Sequence, residues 1–151
     1  MRETNLRGPW SIDRIEHYLD DARIPLRLAC NGPSRFPVIA SHWFVRRGSS
    51  IYCAVQCDSH VASLLTANPH CAFEISSQDP PYRGVRGQAL ATLDDSSGAE
   101  ILELLIARYL SPGRADFAKW LRSRSDTETA VRLDPTRLSS WDYAPRMGTA
   151  A

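Results

Sequence analysis

The first pattern along the chain is that of an amphipathic helix near the N-terminus. Its apolar residues recur at helical spacing, at Ile12, Ile15, Leu19 and Ala22. Ser11 precedes them and carries a hydroxyl of the kind that caps a helix N-terminus, whereas Pro25 cannot continue a helix. The pattern therefore predicts a helix over residues 11–23.

Beyond this helix, short runs of branched and aromatic residues are separated by turn-forming residues, which is typical of β-strands. The runs predict strands at residues 26–30, 36–46, 51–57, 71–76, 85–93, 129–133 and 137–143. Turn signals at residues 31–34 and 48–50 predict two tight hairpins. Asp134 and Pro135 are expected to separate the last two strands.

Helical spacing returns in three further segments, at residues 59–68, 101–109 and 115–124. Ser59 is a suitable cap for the first of them. No linker or internal repeat divides the chain, so residues 1–151 are expected to form one mainly β (α+β) domain with a loose tail over residues 144–151.

The second predicted strand is apolar on both of its alternating faces. One face carries Phe36, Val38, Ala40 and Phe44, and the other carries Ile39, Trp43 and Val45. A strand with one face in water would alternate polar and apolar residues. We therefore expect this strand to be covered on both sides, by the core and by a partner subunit or ligand, which is a first indication of a homodimer.

Composition narrows the functional classes. The chain has 151 residues, 43% of them hydrophobic, and a formal net charge of +1, so it lacks the strongly basic surface that nucleic-acid binding requires. It contains no run of about 20 apolar residues that could span a membrane and no secretory signal pattern. We therefore expect a cytoplasmic protein with neither nucleic acid nor membrane as a partner.

The four cysteines have two possible interpretations. Cys53 and Cys57 lie an even number of residues apart, and with His60 or His70 they could ligate a metal, although the spacing matches no common zinc motif. Cysteine is also among the most buried residue types. We favour four reduced thiols in the core, Cys30, Cys53, Cys57 and Cys71, and no metal.

Arginines offer the main candidate chemistry. The segment 80–87 contains Arg83 and Arg86, each followed by a glycine, and Arg27 lies at the head of the first strand. Guanidinium groups suit bidentate binding of phosphate, although an arginine-rich loop in solvent would show the same sequence. The motifs of serine hydrolases, nucleoside triphosphatases and zinc proteases are absent from the sequence.

Several segments, in this order, resemble the pyridoxamine 5′-phosphate oxidase-like family of FMN-binding split barrels. They are Ile-Pro-Leu-Arg-Leu-Ala at residues 24–29, Ser-His-Trp-Phe-Val at 41–45, Ile-Tyr-Cys-Ala-Val-Gln at 51–56, the segment 59–69, Pro-Tyr-Arg-Gly-Val-Arg-Gly-Gln-Ala at 81–89 and Ala-Arg-Tyr-Leu at 107–110. The resemblance implies a six-stranded antiparallel split β-barrel over about residues 25–143. It also implies a homodimer with two FMN sites between the subunits.

The resemblance also implies which residues bind the cofactor. Arg27 matches the basic residue of the first strand that binds the FMN phosphate, and Ser59 matches the serine of a Ser-x-Lys stretch. Val55 matches a strand residue beside the isoalloxazine ring. Val61 stands where many relatives have the phosphate-binding lysine, so His60 or Arg83 would have to replace that contact.

Three more residues complete the predicted site. Trp43, in the second of these segments, is placed among the cofactor-binding residues. Trp141 and Arg146 could close over the partner subunit's flavin, or they could be a core tryptophan and a solvated arginine. The chain ends soon after Arg146, without the arginine-containing C-terminal segment of the true oxidase, so oxidation of vitamin B6 is not expected.

The resulting functional hypothesis is an FMN-binding oxidoreductase that acts on an unknown small molecule. In it the protein positions the cofactor, and no side chain is an obligatory acid or base. Two alternatives stay open: a flavin- or ligand-binding module without catalysis, and a reductase that uses the deazaflavin F420.

Overall fold

A computed structural model describes residues 4–34 and 36–148 of the chain. The strands are β1 (Asn5–Arg7), β2 (Leu26–Asn31), β3 (Pro37–His42), β4 (Val45–Arg47), β5 (Ser50–Gln56), β6 (His70–Ser76), β7 (Arg83–Asp94) and β8 (Glu128–Asp142). The helices are α1 (Ile12–Asp21), α2 (His60–Ala67), α3 (Gly98–Tyr109), α4 (Ala115–Arg122) and α5 (Ala144–Met147). Short 3₁₀ turns lie at Asp95–Ser97, Pro112–Arg114 and Ser125–Thr127.

The eight strands form one sheet. Seven of them follow the order β3-β2-β6-β7-β8-β5-β4, and β1 lies off this path. Neighbours along this order are antiparallel, whereas β1 pairs in parallel with β8. The two end strands, β3 and β4, are separated by only two residues of the chain, so their nearest ends lie within about 11 Å of each other. The sheet must therefore curl until its ends approach, yet no ladder joins β3 to β4 in the described ranges.

The mainly antiparallel α+β class is confirmed, but the strand count differs from the expected six, and the expected split β-barrel is not confirmed because the sheet is not closed within the described residues. The second predicted strand divides at Trp43 and Phe44 because both side chains turn toward other elements: Phe44 is fully buried and Trp43 stacks on Tyr109. The two late strands instead join into β8. Pro135, which has no N–H to donate, is accommodated where the β7–β8 register shifts.

The helices lie close to their predicted positions. The Ser11 hydroxyl accepts the N–H of Arg14, and the Ser59 hydroxyl accepts the N–H of Ala62, so both predicted caps are confirmed. Ala144–Met147, within the predicted loose tail, forms the helical turn α5. Residues 149–151 of that tail lie outside the described residues.

The main core lies on the inner face of the curled sheet. α1 contributes Ile15 and Leu19, and alternate residues of the strands meet them there. Two smaller clusters fix α3, one through Ile101 and Leu105 and the other through Ile106 beside α4. None of the described helices is long and apolar enough to cross a membrane.

Candidate functional site

The outer face of the sheet carries a pocket of about 440 Å³ over its central strands. The lining comes from β2, β3, β6, β7 and β8, and consists of Arg27, Ala29, Ile39, Ala72, Phe73, Glu74, Arg86, Gly87, Gln88, Arg137 and Ser139. We call this the outer pocket. A second pocket of about 520 Å³ adjoins it and shares Ala29, Ala72 and Gln88 with it, so the two form one continuous groove.

Strand alternation explains why charged residues gather on this face. Residues of β2 and β6 that point inward, such as Leu28 and Ile75, are fully buried, so their neighbours point outward. The strand register then places Arg27, Glu74, Arg86 and Ser139 side by side in one row across four strands. The row spans about 14 Å, three times the spacing between strands.

The row beside it begins with two small side chains. Ala29 and Ala72 are register neighbours, and Gln88 and Arg137 continue the row on β7 and β8. A Cβ built at Gly87 would lie 2.7 Å from the Phe73 ring, so only glycine lets that ring pack against β7. Small residues therefore leave a shallow apolar floor beside a charged row, which fits a flat ring with an anionic tail.

The electrostatics of the outer pocket favour an anion. It contains the guanidinium groups of Arg27, Arg86 and Arg137 and a single carboxylate, Glu74. Arg27 Nη1 lies 3.6 Å from Glu74 Oε1, is buried, and has no hydrogen-bond partner among the described residues. Neither Arg86 nor Arg137 forms an ion pair with any of the described residues. The pocket thus has an excess of two positive charges.

Of the predicted cofactor residues, only Arg27 lines the outer pocket. Val55 and Val61 are 6% and 8% exposed and belong to the main core, so neither side chain faces the outer surface. The Ser59 hydroxyl is used as the cap of α2, and His60 is exposed on the first turn of that helix. The predicted phosphate-binding stretch therefore offers little polar surface in this chain.

The remaining predicted residues lie at other places. Trp43 stacks on Tyr109, with ring centroids 5.1 Å apart, beside α3. Arg83 lines a separate pocket of about 380 Å³ against α1. Trp141 lies next to the outer pocket, since the Arg86 guanidinium stands 5.6 Å from its ring, and Arg146 stands over Tyr143. No contact between these residues and a second subunit is described, so that part of the hypothesis stays a prediction.

Two residues of the outer pocket, Glu74 and Arg137, were not among the candidates of the sequence analysis, which considered Arg86 only as part of the arginine-containing segment 80–87. Arg86 lies within a segment that carries the resemblance, and the sequence shows which face of the strand it shares with its neighbours. Arg137 and Glu74 gave no such signal, because their proximity to Arg27 depends on the register of strands distant in sequence.

The cysteines are free, but only three of them are buried. Cys30, Cys53 and Cys71 lie in the main core, whereas Cys57 is exposed just beyond the end of β5, so its predicted burial is wrong. Burial raises the pKa of the Cys53 thiol to about 12, and burial with the nearby Cys30 raises that of Cys71 to about 12. Within residues 4–34 and 36–148, no three His, Cys, Asp or Glu side chains are grouped closely enough to hold a metal ion.

The fold is that of pyridoxamine 5′-phosphate oxidase-like and related flavin-binding structures, which confirms the resemblance at the level of fold. A conserved hypothetical protein of Mycobacterium tuberculosis is 17% identical over 95% of this chain and 91% of its own, with a TM-score of 0.77. An F420 reductase is 19% identical over 82% and 94% of the two chains, with a TM-score of 0.68.

A pyridoxamine 5′-phosphate oxidase candidate from Listeria innocua is 18% identical over 85% of this chain and 95% of its own, with a TM-score of 0.66. At these identities the likeness concerns the fold alone. The sequence itself matches no protein-family model and no curated protein.

Proposed function

We propose that the protein binds FMN in the outer pocket and acts as a flavin-dependent oxidoreductase on a small molecule. The observation that carries this proposal is a pocket that combines three guanidinium groups with the small side chains of Ala29 and Ala72. An FMN molecule has the matching parts, a planar ring system and a phosphate that is largely dianionic near neutral pH. The names of two similar structures, an F420 reductase and an oxidase candidate, support a flavin or deazaflavin.

Each group of the pocket has a defined task in this proposal. Arg27, Arg86 and Arg137 bind the phosphate through charge-assisted hydrogen bonds, and Ala29 and Ala72 let the ring lie flat against the strands. The bound flavin would supply the electron or hydride transfer. The chain's residues hold and orient it, and none of them is required as an acid or base.

Phosphate recognition provides the direct test. Arg137→Ala should weaken FMN binding by about 1.5 to 3 kcal/mol, or roughly 10- to 150-fold, because one charge-assisted contact is lost. Riboflavin, which lacks the phosphate, should bind with unchanged affinity. Arg132→Ala is the matched control, since Arg132 is also exposed on β8 but lies outside the outer pocket.

Fluorescence titration of both flavins with the three proteins measures these affinities. Arg27→Ala should act as Arg137→Ala does, because both groups line the pocket. Equal loss of FMN and riboflavin affinity in the pocket variants, or no loss, would refute phosphate binding here. The absorbance spectrum of the purified protein, with mass analysis of any released cofactor, distinguishes FMN from F420 and both from a module that carries neither.

The proposal includes a homodimer in which a second subunit covers the outer face. Ile39 on the edge strand β3 is 68% exposed in the single chain and lines the outer pocket, an arrangement that a partner would bury. Sedimentation equilibrium should find a dimer at micromolar concentration, and Ile39→Lys should shift it toward the monomer. Leu104→Lys, on the exposed side of α3, is the control and should leave the dimer intact. A wild-type monomer would remove the shared site.

A further inference from the structure

Glu74 has no evident task in the binding of an anion, yet it lies in the middle of the charged row. Its register neighbours on the two sides are Arg27 and Arg86. Its Oε1 atom lies 3.6 Å from Arg27 Nη1 and accepts the hydroxyl hydrogen of Ser76 at 2.6 Å. Ser76 points to the same side of β6, so its hydrogen bond holds the carboxylate beside Arg27.

Stability gives little reason for this carboxylate. The side chains of Arg27 and Glu74 are 32% and 43% exposed, and ion pairs with such exposure contribute little to folding. The carboxylate also stands beside the guanidinium that a bound anion would use. Its main effect must therefore fall on whatever binds Arg27.

We infer that Glu74 tunes the charge preference of the outer pocket, reducing its affinity for a dianionic phosphate monoester more than its affinity for a singly charged phosphodiester. The inference rests on the proposed function, because it concerns the ligand of the same site. A second negative charge on the ligand doubles its repulsion from the carboxylate and also doubles the attraction of the guanidinium groups, so Glu74 weakens the preference for the dianion without reversing it. Glu74 thereby acts on phosphorylated ligands according to their charge rather than their shape.

The test compares Glu74→Gln with the wild type, since glutamine keeps the size of the side chain and removes its charge. At pH 8 the probes are FMN as the dianion, riboflavin 4′,5′-cyclic phosphate as the monoanionic diester, and riboflavin as the neutral form. We expect Glu74→Gln to raise the affinity for FMN about five- to ten-fold and the affinity for the cyclic phosphate about two- to three-fold. The affinity for riboflavin should change by less than about two-fold, because this ligand carries no charge.

Glu100→Gln provides a matched control. Glu100 is an exposed carboxylate that pairs with Arg47 at 2.6 Å, outside the outer pocket, and its loss should leave all three affinities unchanged. Circular dichroism of both variants should match the wild type, because the two side chains are exposed. An equal effect of Glu74→Gln on the three flavins, or no effect on any, would refute the inference.

Binding of inorganic phosphate, measured by thermal shift at pH 8, separates this inference from the proposed function. A protein that binds FMN but is insensitive to Glu74→Gln contradicts the charge selection and keeps the flavin proposal. If neither protein binds a flavin, and Glu74→Gln binds inorganic phosphate more tightly than the wild type does, the flavin proposal is contradicted and the effect of Glu74 on charged ligands is supported. Absence of binding to flavins and phosphate alike would overturn both.

Discussion

Gly98→Ala provides a stringent test of how α3 is attached to the sheet. Gly98 is the first residue of α3, and a Cβ built on it would lie 1.9 Å from the carbonyl oxygen of Glu128, at the start of β8. The φ angle of Gly98 is −56°, which any residue can adopt, so the substitution isolates the contact from backbone strain. Both atoms involved are close to the backbone and cannot turn away as a flexible side chain could.

The cost follows from the displacement that alanine would impose. Real Cβ atoms essentially never come closer than 3.0 Å to another heavy atom, so α3 and β8 must separate by more than 1 Å. This separation loosens the packing of Ile101 and Leu105, which are 0% and 2% exposed. Overpacking of this kind costs about 1 to 3 kcal/mol, and the higher helix propensity of alanine returns at most about 1 kcal/mol. We expect a net loss of about 2 kcal/mol.

Urea unfolding followed by tryptophan fluorescence would measure the change, with an unaltered m-value showing that both states keep their compactness. Gly113→Ala is the control, because no atom lies within 4 Å of a Cβ built there and its φ is not in the left-handed region. This variant should be neutral or more stable by up to about 1 kcal/mol. Equal stabilities of the two variants would refute the close approach of α3 to β8.

Three further predictions follow from the buried groups. Because the native state keeps Cys53 and Cys71 protonated to a pH of about 12, while unfolded thiols titrate near 9, the free energy of unfolding should fall as the pH rises from 9 toward 12. At pH 10 the loss should be about 2 to 3 kcal/mol, and Cys53→Ala should roughly halve it in urea titrations at several pH values. Thiol titration should count Cys57 alone in the native protein and four thiols after unfolding; four in the native state would contradict the burial. Val61→Lys should lower the free energy of unfolding by at least about 2 kcal/mol in urea melts and leave FMN affinity unimproved, whereas tighter FMN binding would restore Val61 to the site.

The sequence predicted best those features that depend on neighbouring residues. Ser11 and Ser59 were identified as caps because a cap requires only the next turn of the helix. The division of the second strand at Trp43 and Phe44 could not be predicted, since it depends on packing against Tyr109 of a helix some 65 residues away. Local alternation likewise gave no sign that Pro135 would lie within a strand, at a register shift against β7.

The candidate site shows the same limit. Arg27 was found because a chain segment around it resembles a known family. The outward position of Arg137 on its strand does not by itself predict a place in the site, because its distance from Arg27 depends on the order of four strands. Val61 shows the opposite error: a position carried over by resemblance lies in the core of this chain, where a valine fits and a phosphate does not.

The pairing of β8 has a consequence for synthesis of the protein. This strand, at residues 128–142, is hydrogen-bonded to β5, β7 and β1, and β1 at residues 5–7 pairs with no other strand among the described residues. A ribosome that adds about 5 to 20 residues per second therefore exposes β1 and one edge each of β5 and β7 for several seconds before their partner exists. The early chain can assemble β2, β3, β6 and β7, but the sheet is completed only after β8 has left the ribosome.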